Sequence, residues 1–168
     1  MAPEATNGSE LITIPLLING KEETTTQTFD VVNPGTGKVV WRSASASKED
    51  AIRAAENAQA AFPAWSKTKP TTRRDIFLKA GDILASRAEE YGGFMDTETG
   101  SHPGFSGGFN LPVAAGILKD VAGRIATIAG TVPVCGEESR SAIVYKEPYG
   151  VIFGMAPWYV LHLMSHSN

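Results

Sequence analysis

Four places in this 168-residue sequence hold residue types at spacings that could do chemistry. Cys135 is the single cysteine, and a thiol becomes a nucleophile or metal ligand only where its surroundings favour the thiolate. Between Val134 and Gly136, in what reads as a β-hairpin, it is expected to be an inert small hydrophobe. His162 and His166 are spaced i,i+4, as two zinc ligands on one helix face are, but no third ligand accompanies them and no metal site is assigned. Glu98 offers a carboxylate to a cation or a substrate; with Thr99 and Gly100 behind it, the position is read instead as the end of a helix. Gly104-Phe105-Ser106-Gly107-Gly108 is glycine-rich, yet a dinucleotide fingerprint follows a strand and opens a helix, whereas this run follows a predicted helix. It is read as a flexible loop.

The elements that must hold these residues begin with β structure. Leu16-Leu17-Ile18 runs into Asn19-Gly20, a pair suited to the positive φ angles of a tight hairpin, and Phe29-Asp30-Val31-Val32 supplies a later strand. Asn33-Pro34-Gly35-Thr36-Gly37 makes a turn, not a phosphate cradle, before Lys38-Val39-Val40-Trp41 resumes extended chain. Ser47 is a helix N-cap with Glu49 and Asp50 in the first turn, and the Ala-rich run behind it is expected to stop at Pro63. A second helix starts near Pro70-Thr71, with Ile76, Phe77, Ala80, Ile83 and Leu84 as its core stripe. Ala88 to Thr99 forms a third, closed by Gly100 in the left-handed conformation. Leu118, Val121, Ile125 and Ile128 continue a helical stripe from Leu111, with Gly130 and Pro133 marking its exit. Val132 to Cys135 and Ala142 to Tyr145 then pair as a hairpin, and the uniformly apolar Gly150 to Ala156 suits a strand covered on both faces.

Composition narrows the function classes. With 42% apolar and 20% charged residues the chain resembles an ordinary globular domain. Fifteen Lys and Arg against eighteen Asp and Glu, a formal charge of -3, give no basic surface, so no nucleic-acid partner is expected. The segment Met1 to Glu10 lacks the basic start and apolar run of a secretory signal and reads as a disordered tail, residues 1–10. Asn7-Gly8-Ser9 matches a glycosylation acceptor in form only, and the lone thiol fits a cytoplasmic location. Tyr149 to Ser165 carries no formal charge but is broken by Gly150, Gly154, Pro157 and His162, so no membrane partner is expected either.

Leu17-Ile18-Asn19-Gly20, Phe29-Asp30-Val31-Val32-Asn33-Pro34 with Thr36-Gly37, Ala60-Ala61-Phe62-Pro63-Ala64-Trp65, Glu98-Thr99-Gly100 and Glu147-Pro148-Tyr149-Gly150-Val151 leading to Ala156-Pro157-Trp158 occur in one order. In that order and spacing the chain resembles the N-terminal portion of the aldehyde dehydrogenase superfamily. Ala114 to Arg124 is similar to a branch acting on aromatic aldehydes such as salicylaldehyde. The resemblance implies an α/β fold, with several helices, an incomplete sheet and a β-hairpin. It implies an incomplete domain over residues 11–158, an assembly hairpin at about 131–146 and a divergent tail at 159–168.

For function, the resemblance implies NAD- or NADP-dependent oxidation of aldehydes: a cysteine thiolate attacks the carbonyl, hydride leaves to nicotinamide, and water releases the acid from a thioester. It places Ala156, Pro157 and Trp158 beside the cofactor. An asparagine that stabilises the oxyanion follows in the family, but Tyr159 stands here, and the carry-over stops at Trp158. The nucleophile and the deacylating glutamate fall beyond Asn168, so no catalytic residue is assigned. The expectation is a truncated family member, inactive alone. An alternative is an interaction module whose hairpin pairs with a full-length aldehyde dehydrogenase subunit or with itself.

Overall fold

The computed structural model describes residues 11–155 of the chain. The expected tail at 1–10, the cofactor-side Ala156, Pro157 and Trp158, the pair His162 and His166, and the segment 159–168 lie outside the described residues.

Two small sheets open the chain. β1 (Thr13–Ile14), β2 (Leu16–Ile18), β3 (Lys21–Glu23), β4 (Thr28–Val32) and β5 (Val39–Ala44) follow one another. β2 and β3 form the expected hairpin, Ile18 opposite Lys21, around a turn in which Asn19 and Gly20 both take positive φ, 52° and 70°. β4 pairs antiparallel with β5, and β5 takes β1 as a parallel neighbour on its other side, giving the order β1-β5-β4. Asn33 holds the connecting turn: its Oδ1 accepts from the backbone N–H of Gly35 at 2.8 Å and of Thr36 at 3.0 Å.

Helices supply the core. α1 (Lys48–Ser66) begins on a reciprocal capping box, in which Asp50 N–H donates to Ser47 Oγ at 3.1 Å and Ser47 N–H donates to Asp50 Oδ2 at 2.9 Å. It does not stop at Pro63. Proline removes one N–H donor near the C-terminal end, and the last turn is kept by local partners: Ser66 Oγ donates to Pro63 O and Thr68 Oγ1 to Ala64 O. α2 (Pro70–Ser86) starts with proline at its first turn, and α3 (Ala88–Thr99) closes on Gly100 at φ 68°.

The glycine-rich run after α3 is helical rather than a flexible loop. α4 (Pro103–Phe105) leads into a single π-helical turn, Ser106–Asn110, which continues without a break into α5 (Leu111–Ile125). Its glycines serve close packing, since a Cβ on Gly92 of α3 would stand 3.0 Å from Gly107 Cα. The core is Leu84, Met95, Leu111, Ala114, Ala115 and Leu118, with Phe77, Ala80, Ala88 and Tyr91 packed on it. Of the stripes read from spacing, Leu84 and Leu118 are buried, whereas Ile76, Ile83, Val121 and Ile128 remain exposed. Both helices meet the core along a narrower seam than their apolar residues span.

The sheet docks on α3 through Trp41, whose ring stands edge-on to Phe94 at 6.0 Å, and through Pro34 against Gly100. Beyond α5 the hairpin is present as one antiparallel bridge, Thr131 with Val144, rather than a ladder. Gly150 to Met155 forms no strand among the described residues. A uniformly apolar strand needs a paired neighbour and cover on both faces, and Phe153 is 89% exposed.

Candidate functional site

Two places in the described chain bring polar or reactive side chains together. At the end of α3, Thr99 Oγ1 donates to Ser101 Oγ at 2.9 Å, and Ser101 is also hydrogen-bonded to Ser106 on the π-turn. Spacing i,i+4 on that turn puts Ser106 and Asn110 inward, 0% and 2% exposed, while Phe105 and Phe109 stack outward with ring centroids 5.9 Å apart. The buried Nδ2 of Asn110 has no hydrogen-bond partner. Reading the segment as a loop hid this division, although the spacing of Ser106 and Asn110 carries it.

Glu98, read as a helix-end residue, does lie in the last turn of α3. Its carboxyl is raised above the usual value by loss of water around it, opposed by a hydrogen bond from Trp41. That pairing ties the sheet to the helix. Cys135 is half-buried in the segment after α5. Among the described residues no group of three His, Cys, Asp or Glu is placed to hold a metal ion. No described helix is long and apolar enough to cross a membrane.

The second place is an open groove of about 710 Å³ between the end of α1, the start of α2 and the segment 146–152. Phe62, Trp65, Ile128, Tyr149 and Ile152 line it, with Arg73 at the junction of the two helices, where Nη1 donates to Thr68 O at 2.6 Å. Sequence reading did not assign this groove, because its walls come from parts of the chain far apart in order. Its C-terminal wall is the segment that runs on toward Ala156, Pro157 and Trp158.

The order of strand, turn and helix described above is shared with known proteins. Residues 21–167 match the Aldehyde dehydrogenase family. The chain belongs to that family. It is 40% identical over 150 residues to the vanillin dehydrogenase of Pseudomonas sp. strain HR199, covering 86% of this chain and 30% of that protein. Against the salicylaldehyde dehydrogenase of Pseudomonas sp. strain C18 it is 33% identical over 133 residues, covering 79% of this chain and 27% of the relative. Among solved structures, a salicylaldehyde dehydrogenase from Pseudomonas putida G7 complexed with salicylaldehyde superposes with TM-score 0.76 at 27% identity, over 82% of this chain and 28% of that one. PnpE in complex with nicotinamide adenine dinucleotide superposes with TM-score 0.70 at 30% identity, over 74% and 26%. The chain thus spans about 30% of the length of the curated relatives it matches, their N-terminal third.

Proposed function

We propose that this chain forms the leading part of an NAD(P)-dependent aldehyde dehydrogenase that converts aromatic aldehydes to acids, and that these 168 residues alone do not turn over. The observation that carries the substrate class is the 40% identity to a vanillin dehydrogenase across 86% of the chain. Ala156, Pro157 and Trp158 are assigned to the cofactor side on the same family basis. Within the described residues, what the chain contributes is a packed helical scaffold and an open groove beside α1.

Two assays test this. The purified chain, given vanillin or salicylaldehyde with NAD or NADP, is expected to form no reduced nicotinamide; aldehyde-dependent formation would overturn the second half of the proposal. A chimera carrying this chain in place of the leading third of the vanillin dehydrogenase is expected to oxidise aromatic aldehydes in preference to short aliphatic ones. Loss of that preference in a folded chimera would overturn the first half.

A second reading is favoured by the single bridge between Thr131 and Val144, flanked by exposed Val132, Val134 and Tyr145. Unpaired strand edges seek partners, and in this reading the segment pairs with a full-length relative or with a second copy. Co-purification lost on Val134→Asp, with the groove residues intact, is the outcome it expects.

A further inference from the structure

Asparagine followed by glycine carries a reaction of its own, since the glycine amide nitrogen can reach the side-chain carbonyl carbon with no Cβ in the way. Four asparagines lie among the described residues, and the structure separates them. Asn33 precedes Pro34, which has no N–H to lose, and its Oδ1 already accepts from Gly35 and Thr36. Asn57 sits inside α1, where its Nδ2 donates to Arg53 O at 2.8 Å and the N–H of Ala58 belongs to the helical ladder. Asn110 is 2% exposed and leads directly into α5. Asn19 alone of the four is exposed, is followed by glycine and lies in a turn outside any helix.

That turn is held by little. β2 and β3 pair only with each other among the described residues, over three residues each, and a hairpin of two strands is marginal without other support. Its support is Ile18, 7% exposed, and an ion pair at 2.7 Å between Glu23 and Arg53 of α1. Nothing stands within 4 Å of a Cβ placed on Gly20, so once the strands part the chain there is free to swing from φ 70° and bring its nitrogen onto Asn19 Cγ.

We propose that Asn19-Gly20 is a spontaneous modification site, at which brief opening of the β2–β3 hairpin commits the chain to deamidation and to a β-linked aspartate. The Gly20 nitrogen bonds to Asn19 Cγ and gives up its proton; the Cγ–Nδ2 bond breaks, and ammonia leaves with that proton. Water then opens the cyclic imide. Cleavage at the main-chain carbonyl carbon leaves the backbone running through Cβ and Cγ beside a free carboxylate, whereas cleavage at Cγ leaves ordinary aspartate. No oxidant or reductant takes part. The β-linked product has one more backbone atom between Ile18 and Lys21, so the turn no longer sets them opposite, and it adds negative charge to a segment that already holds Glu22 and Glu23. The inference rests on turn geometry and is independent of the aldehyde and cofactor readings.

The test is prolonged incubation of the full chain at mildly alkaline pH, read by peptide mapping in a mass spectrometer and by methylation with an isoaspartyl carboxyl methyltransferase and S-adenosylmethionine. Asn7-Gly8, the same dipeptide outside the described residues, is the internal clock. Asn19 is expected to convert while Asn33, Asn57 and Asn110 persist. Ile18→Val, which thins the buried contact of the hairpin, is expected to speed conversion at Asn19 about threefold relative to Asn7. Asn19→Gly keeps a residue suited to positive φ, has no side-chain amide and is expected to yield no product at that position. Amide exchange across β2 and β3 is expected to quicken as product accumulates, in the parent chain and not in Asn19→Gly, while α2, α3 and α5 keep their protection. Asn19 intact after Asn7 has converted would overturn the proposal. So would an unchanged rate in Ile18→Val, aspartate as the sole product, or hairpin exchange unmoved by conversion.

Discussion

A carboxylate that accepts hydrogen bonds at a helix start and one that loses water beside an indole respond to acid in opposite directions. Asp50 is held below its usual value of 3.8, first by the backbone N–H of Ser47 and then by its hydroxyl. Its contribution is present above the unfolded pKa and fades as pH falls through the lower folded value. Glu98 is shifted upward from 4.5, chiefly by burial, so its folded form prefers the proton. Ionising it therefore removes stability as pH rises from about 4.5 through the folded pKa. Denaturant melts of Asp50→Asn are expected to show a deficit at neutral pH that closes in acid, and those of Glu98→Gln a gain at neutral pH that closes in acid. The Ser47 and Asp50 pair was legible because a capping box is written in adjacent residues, whereas the Glu98 partner, Trp41, arrives from another element and leaves no local mark. Asn110 is marked as inward by its spacing from Ser106, but spacing does not reveal that its buried Nδ2 lacks an acceptor. Asn110→Leu, similar in size and without that donor, is expected to stabilise the chain by about 1 kcal/mol in urea unfolding.

Elements ended and began where donors and acceptors allowed, which explains both the agreement and the misses. Gly100 closes α3 because only a left-handed residue caps it so readily, a signal carried by one position. Pro63 carried an equally clear stop signal, and the helix passed it because Ser66 and Thr68, just downstream, take up carbonyls of the last turn. The Gly104 to Gly108 run reads as loose by composition, but Gly92 and Gly107 are small so that α3 and the π-turn can touch. Gly92→Ala pushes a methyl group against backbone and is expected to destabilise by about 1–3 kcal/mol, outweighing any gain in helix propensity. Gly116→Ala in α5, where nothing stands within 4 Å of the added atom, is expected to stabilise by up to about 1 kcal/mol. Thermal melts of the two variants, moving in opposite directions, check the assignment.

At the scale of the molecule, apolar surface is divided between a closed helical centre and walls still facing water. Amide exchange is expected to be slowest in α2, α3 and α5 and fast across 146–155, where no ladder protects the backbone. The fold class and the family order could be read from the sequence because they rest on turns, caps and spacing; the groove could not, since its floor joins α1 to residues near 150. Every member of the buried centre falls between Phe77 and Leu118, so it needs no residue from the sheet or from the apolar run behind it, although α2 and α5 must close the stretch between them to meet. This nucleus has all its parts before residue 150 is synthesised, and a released fragment ending just past Ile125 is expected to resist protease across α2 to α5. The helical centre can therefore close without the apolar segment that lies behind it in sequence.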